Sequence, residues 1–203
     1  MDKLTPFFKL IHNFFVVYLP NERRCSPNTV RSYRKAIELL LDFVKEKNNV
    51  PLSKISLSMI TRDTISDFLD YLENERNCSV STRNQRLHCI KAFYSYAANE
   101  DLTTIMHWEE IKKVPAAKEP QKLVEHMSEN AIKSLLSQPD TSTEKGLRDM
   151  FIMLFLYKTG ARVQELLDIR LRDIQFGQNP RVVLHGKGEK VRSVPLRENV
   201  VEH

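Results

Sequence analysis

The sequence predicts a mainly α-helical chain with one small β-hairpin, arranged as a four-helix N-terminal domain followed by a second domain of α+β type. Three observations carry that expectation. Apolar residues recur at three- and four-residue steps over most of the 203 residues. Only 5 glycines are present, so there is little turn-forming sequence to break the helices. The period changes to two only near the end, around Val182-Val183-Leu184 and Val191 to Val194.

The elements follow in order. A first helix is expected over Leu4 to Leu19. Its apolar run, Leu10 to Leu19, is interrupted by His12 and Asn13 and is too short to span a bilayer. The second helix opens at Ser26-Pro27, an N-cap followed by proline at the first helical position. Val30, Tyr33, Ile37, Leu40, Leu41 and Val44 form its buried face, and Asn28, Arg31 and Lys35 share another. The third runs from about Arg62 to Glu75 and packs through Ile65, Phe68, Leu69 and Leu72. The fourth begins near Ser79 or Ser81, ends about Asn99, and carries Leu87, Ile90, Tyr94 and Ala97. Projected backwards, its stripe meets Arg83, flanked by Arg86. Because unpartnered cations do not enter a dry core, that end is expected to project from the bundle.

Two prolines, small residues and lysines between Val114 and Val124 suggest a linker. The expected division is therefore a domain over 1–114, a linker over 115–125 and a second domain over 126–203. In the latter, Ser128 caps a helix over Ile132, Leu135 and Leu136. An apolar helix from about Lys145 to Lys158 stops at Gly160, and a short helix covers Arg162 to Asp168. The hairpin then turns through Gly186-Lys187-Gly188-Glu189.

Charge is segregated along the chain. The net charge is +5. Arg23, Arg24, Arg31, Arg34 and Lys35 lie in one acid-free stretch, and Arg83, Arg86 and Lys91 in a second. Arg181, Lys187, Lys190, Arg192 and Arg197 meet only Glu189 in a third. Such clusters suit a polyanion. Cys25, Cys78 and Cys89 are odd in number and lack close pairing, which favours a reducing, cytoplasmic compartment over a disulfide framework. His12, His88, His107 and His126 show no metal-ligand spacing, so no metal is assigned. Gly186-Lys187-Gly188 lacks the spacing of a phosphate-cradling P-loop.

Thr159-Gly160-Ala161-Arg162-Val163-Gln164-Glu165-Leu166, continuing to Ile169 and Asp173-Ile174, resembles the first catalytic box of the tyrosine recombinases, or phage integrases. His185 to Leu196 resembles the hairpin that presents that family's catalytic lysine. Ser26 to Phe43 and Ser79 to Tyr96 resemble two helices of its SAM-like core-binding domain. Gln164 and Ile169-Arg170 depart from the usual residues without touching a catalytic position.

The resemblance implies a tyrosine hydroxyl attacking a DNA phosphodiester to give a 3′-phosphotyrosyl intermediate and a free 5′-hydroxyl, with no cofactor. It implies Arg162 as the guanidinium on the charged phosphate oxygens and Lys187 as general acid to the leaving 5′-oxygen. Glu165, one turn away, would orient Arg162. Without that context, Lys187 and Glu165 would read as a polar turn and a solvated ion-pair partner. Arg31, Lys35, Arg83, Arg86, Lys91, Thr159, Lys190 and Arg192 are the candidate contacts to double-stranded DNA, gripped as a clamp between two domains. Self-association or assembly with other recombinase protomers on DNA is expected, and no membrane. The family's His-x-x-Arg box and nucleophilic tyrosine are not found after Lys187. Tyr18, Tyr33, Tyr71, Tyr94, Tyr96 and Tyr157 all precede Arg162, and Tyr157 reads as core. The expectation is a truncated chain that does not cut DNA alone. Two alternatives stay open: a non-catalytic DNA-binding module that occupies recombination sites, and an unrelated helical regulator.

Overall fold

In the computed structural model, residues 5–119, 125–186, 188 and 190–196 are described. The chain forms two compact units, Met1–Lys122 and Leu123–His203.

The first unit is helical. Helix α1, Pro6–Asn13, starts on a Thr5 cap and runs directly into a π-helical segment, Phe14–Glu22. Pro20, which has no N–H to donate, lies inside that segment. The wider turn has a consequence the apolar run did not reveal: Phe14, Phe15 and Leu19 are buried, whereas Val16 and Val17 are exposed. Helices α2, Pro27–Asn48, and α4, Val80–Glu100, open on the same device. The Ser26 and Ser79 hydroxyls each accept the N–H three residues on, from Thr29 and Thr82, at 3.3 Å. Helix α3, Arg62–Asn74, is capped by Thr61. Ile37, Leu40, Leu41 and Val44 of α2, Ile65, Phe68, Leu69 and Leu72 of α3, and Leu87, Ile90, Tyr94 and Ala97 of α4 all face one core.

A fifth helix, α5 (Ile105–Ile111), follows a 3₁₀ turn at Leu102–Thr104. It was not legible in the sequence, because only Ile111 and the following Val114 are buried, and seven residues are too few for a periodic stripe. After it the chain runs back along α4. Lys91 donates to the carbonyls of Lys112 (2.9 Å) and Val114 (2.6 Å). Asn84 accepts from the Ala117 N–H at 2.9 Å and donates to the Ala117 carbonyl at 2.8 Å. An amide side chain thus stands in for a neighbouring strand. Asn84→Ala is expected to remove both bonds, each contributing about 0.5–1.5 kcal/mol, and to raise proteolytic cutting at 115–119 roughly tenfold or more. Cutting rates matching the parent chain would show that Asn84 does not hold this stretch.

The second unit begins with α6, Glu129–Leu136, on a Ser128 cap, and α7, Glu144–Thr159. Gly160 ends α7 with a left-handed φ of 60°, and α8, Val163–Leu167, starts immediately after. An antiparallel sheet in the order β1 (Ile174–Gln175), β2 (Arg181–His185), β3 (Val191–Pro195) completes the unit. Its core is Leu154 and Phe155 of α7 against Val182 and Leu184 of β2. The expectation that Tyr157 is core is corrected: the residue is 51% exposed, because Leu154 and Phe155 take the inward face of that turn. Leu167, Leu171 and Phe176 are exposed as well.

Candidate functional site

The short connection from α7 to α8 places the first candidate cluster. Thr159 donates its hydroxyl to the Phe155 carbonyl (2.7 Å) and accepts from the Ala161 N–H (3.2 Å). That hydroxyl, a candidate phosphate contact, is engaged in turning the chain. Arg162 then stands at the N-cap of α8, with Glu165 one turn inside.

Glu165 is the pivot. Its Oε2 accepts the Arg162 backbone N–H at 2.9 Å, and its Oε1 accepts Arg162 Nη1 at 2.7 Å. From strand β3, Arg192 adds Nη1 to Oε1 at 3.1 Å and Nη2 to Oε2 at 2.7 Å. The Glu165 side chain is 4% exposed, that of Arg162 71% and that of Arg192 40%. The hydrogen bonds from Arg192, then from the Arg162 N–H, hold the Glu165 carboxyl down to about 2. It is therefore a carboxylate at any physiological pH. The expected orienting contact between Glu165 and Arg162 is present. The contact to Arg192 was not anticipated, since 27 residues and a change of element separate the two.

The hairpin lies close to this pair. The Gly186 N–H closes the turn on the Lys190 carbonyl at 2.7 Å. A Cβ at Gly186 would fall 3.0 Å from Glu165 Oε1 and 3.3 Å from the Lys190 carbonyl oxygen, so a side chain there would press on the Glu165 carboxylate. Lys187 itself lies outside the described residues. Arg162, Gly186, Lys190, Val191 and Arg192 line a concavity of about 530 Å³. Three of the five are cations and none is an acid, and Lys190 is exposed. At the turn end of β2, His185 Nε2 lies 3.4 Å from Asp173 Oδ1.

In the first unit, the N-terminal halves of α2 and α4 lie side by side. Gln85 donates to the Ser32 hydroxyl at 2.7 Å, and Arg86 reaches the Ser32 carbonyl at 3.4 Å and Gln85 Oε1 at 2.9 Å. Arg31 and Lys35 are exposed on α2, Arg31 held lightly by Asn28 at 3.2 Å. Arg34 lies over the Phe15 ring, 5.0 Å from its centroid. The expectation that the start of α4 projects free of the bundle is corrected. Arg83 is mostly buried and paired with Glu73 of α3 at 3.3 Å, and Asn84, Gln85 and Arg86 all dock on neighbouring chain. Glu73 of α3 supplies the counter-charge for Arg83, whose buried Nε has no hydrogen-bond partner, and Ser32 of α2 receives Gln85 and Arg86. Lys91 faces the carbonyls after α5. Of the candidates in this unit, Arg31 and Lys35 are the ones presented to solvent, with Arg86 half-buried at their border.

Among the described residues, no cluster of three His, Cys, Asp or Glu side chains is placed to hold a metal. Among the same residues, no helix is long and apolar enough to cross a membrane.

Comparison with known proteins reads the same architecture. The model for the phage integrase N-terminal SAM-like domain matches residues 14–104, and that for the phage integrase family matches residues 125–203. A Sinorhizobium fredii protein named as an integrase/recombinase, y4rD, is 31% identical over 192 residues, covering 94% of this chain and 68% of the relative. The chain belongs to the tyrosine recombinase family. Another relative of the chain, tyrosine recombinase XerC of Myxococcus xanthus, is 34% identical over 198 residues, covering 97% of the chain and 60% of that protein. The chain thus spans 60–68% of the length of these relatives. Among solved structures, the XerH site-specific recombinase bound to palindromic difH substrate shares the fold at 17% identity and a TM-score of 0.65. That match covers 89% of this chain and 52% of XerH. The Tn1549 transposon integrase in complex with transposon right end DNA shares it at 15% identity and a TM-score of 0.64, covering 94% and 62%. The SAM-like first unit and the hairpin-bearing second unit of the chain match that fold.

Proposed function

We propose that this chain binds double-stranded DNA as part of site-specific recombination, Arg162 holding the scissile phosphate and Lys187 protonating the leaving 5′-oxygen. The observation that carries the proposal is the exposure of Arg162. It is anchored through Glu165 yet offers most of its guanidinium to a concavity whose charged lining residues are all cations. A planar guanidinium so held matches the charge that gathers on non-bridging phosphate oxygens. Lys190 supplies further positive charge beside it. The DNA complexes of XerH and the Tn1549 integrase, which share the fold, support duplex DNA as the partner. The two units divide the work, the first gripping the backbone through Arg31 and Lys35 and the second addressing the phosphate to be cut. Assembly with further protomers on DNA belongs to the same proposal.

Strand cutting requires a nucleophile that the described site does not bring near Arg162. The six tyrosines all precede Arg162 in sequence, and Tyr157, the nearest, sits on α7. We therefore propose that none of these six tyrosines is the attacking nucleophile and that the residues present bind and address the phosphate.

Duplex binding measured over a range of salt tests both parts. Arg31→Gln with Lys35→Gln is expected to lower the slope of log affinity against log salt by about 2, at roughly 0.9 for each phosphate no longer neutralised. Arg83→Gln is expected to change the slope much less, because its guanidinium is paired with Glu73. A slope unmoved by the double variant would remove the α2 face from the interface. Incubation with a nicked recognition duplex is expected to give no protein–DNA adduct at any of the six tyrosines. An adduct mapped to any of the six tyrosines would refute that assignment.

A further inference from the structure

The four hydrogen bonds on Glu165 fill its carboxylate. Each oxygen carries two acceptor sites, and each accepts two donors: Oε1 from Nη1 of both Arg162 and Arg192, Oε2 from the Arg162 N–H and Arg192 Nη2. Arg192 thus grips both oxygens from the strand side in a fork. Its Nη2 also reaches the Gly160 carbonyl, at 3.4 Å. A side chain positioned for phosphate would direct its terminal nitrogens outward, yet both terminal nitrogens of Arg192 meet protein acceptors.

We propose that Arg192 is a positioning residue for Arg162, acting through Glu165. By occupying one site on each carboxylate oxygen, it leaves room for a single side-chain bond from Arg162. The remaining guanidinium N–H groups of Arg162 then stay turned toward the concavity. Without Arg192, Glu165 is free to take both ends of the Arg162 guanidinium. That fork would neutralise the arginine and draw it away from an incoming anion. The same contact ties β3 to the start of α8. His185 pairs with Val191 at the turn end of the hairpin, one residue from both Gly186 and Arg192. Arg192 therefore sets the hairpin and Arg162 in one frame. This role deepens the function proposed above and rests on Arg162 being a phosphate ligand.

The test uses the full chain, inorganic phosphate as the probe, and carboxyl-¹³C-labelled glutamate. Arg192→Lys keeps the charge but cannot fork, and Arg192→Gln removes the charge. Arg148→Gln, on an exposed α7 arginine paired with Asp149, serves as the control for loss of one cation. Both Arg192 variants are expected to weaken phosphate binding about tenfold, the scale of one hydrogen bond to a charged group. The control is expected to change it little. At pH 4 the Glu165 carboxyl signal is expected to be fully ionised in the parent chain and partly protonated in both variants. If Arg192→Lys matches the parent in phosphate affinity and in Glu165 ionisation, Arg192 acts by charge alone and the positioning role is overturned. If Arg162→Ala leaves phosphate affinity unchanged, the assignment of Arg162 as phosphate ligand fails. In that case the Glu165 ionisation still decides whether Arg192 holds the carboxylate.

Discussion

Phe14→Ala is expected to lower the stability of the first unit by about 3–5 kcal/mol, the range for deleting a buried phenyl ring. Phe14 is fully buried at the start of the π-helical segment. Its ring lies 5.3 Å from Phe15, 5.4 Å from Phe93 and 5.3 Å from Tyr96, and stacks on Tyr18 at 5.7 Å. It joins the N-terminal segment to α4, so truncation leaves a cavity whose walls belong to two helices and cannot easily collapse. For a unit of this size the loss corresponds to a fall in melting temperature of more than about 10 °C. The chain's single tryptophan, Trp108, packs against the same core and reports its melting by fluorescence. Val16→Ala, two residues away but exposed, is expected to change stability by less than about 0.5 kcal/mol. Equal effects at the two positions would mean that the π-helical register does not select Phe14 for the core.

The second large effect concerns Glu165. Glu165→Gln preserves shape but replaces one acceptor oxygen by an NH₂ donor. Two of the four donors that converge on the carboxylate then meet another donor, and two guanidinium groups lose their counter-charge. Amide exchange in β2 and β3 is expected to speed up roughly ten- to hundredfold, through easier local opening of the hairpin. The pH dependence gives the sign. In the folded chain the Glu165 carboxyl is held down to about 2, by the Arg192 hydrogen bond foremost. An unfolded glutamate titrates near ~4.3. The stabilisation is therefore fully present above that ordinary value and fades as the pH falls toward 2, where the unfolded chain binds the extra proton first. The gap between parent and variant should accordingly shrink on acidification. A gap that is constant from pH 6 to pH 2.5 would show that Glu165 acts by shape and not by charge.

The features legible in the sequence are those generated within a few residues. Ser26, Ser79 and Ser128 cap the helices they precede, and Gly160 stops α7 in a left-handed turn. These depend on a side chain meeting a backbone group one turn away, or on a missing Cβ. The buried faces of α2, α3 and α4 were legible for a related reason, since a three- to four-residue period survives whatever packs against it. Helix α5 and the two-residue strand β1 escaped because neither is long enough to show a period.

At the site, the sequence alone determined which residues are candidates. Arg162 and Glu165 share one helical turn, and Lys187 belongs to a glycine-flanked hairpin turn. It could not determine which cations are free. Arg83, Lys91, Arg192 and Thr159 looked equivalent to Arg31, Lys35 and Lys190 as phosphate contacts. Tertiary structure separates them, pairing Arg83 with Glu73, Lys91 with the carbonyls of Lys112 and Val114, and Arg192 with Glu165, while Thr159 caps its own turn. The physical reason is range. Caps, stops and faces are set by backbone geometry over one or two turns. The partner of a long, flexible cation is set by whichever acceptor the fold brings within about 3 Å, and in Arg192 that acceptor comes from another element 27 residues away.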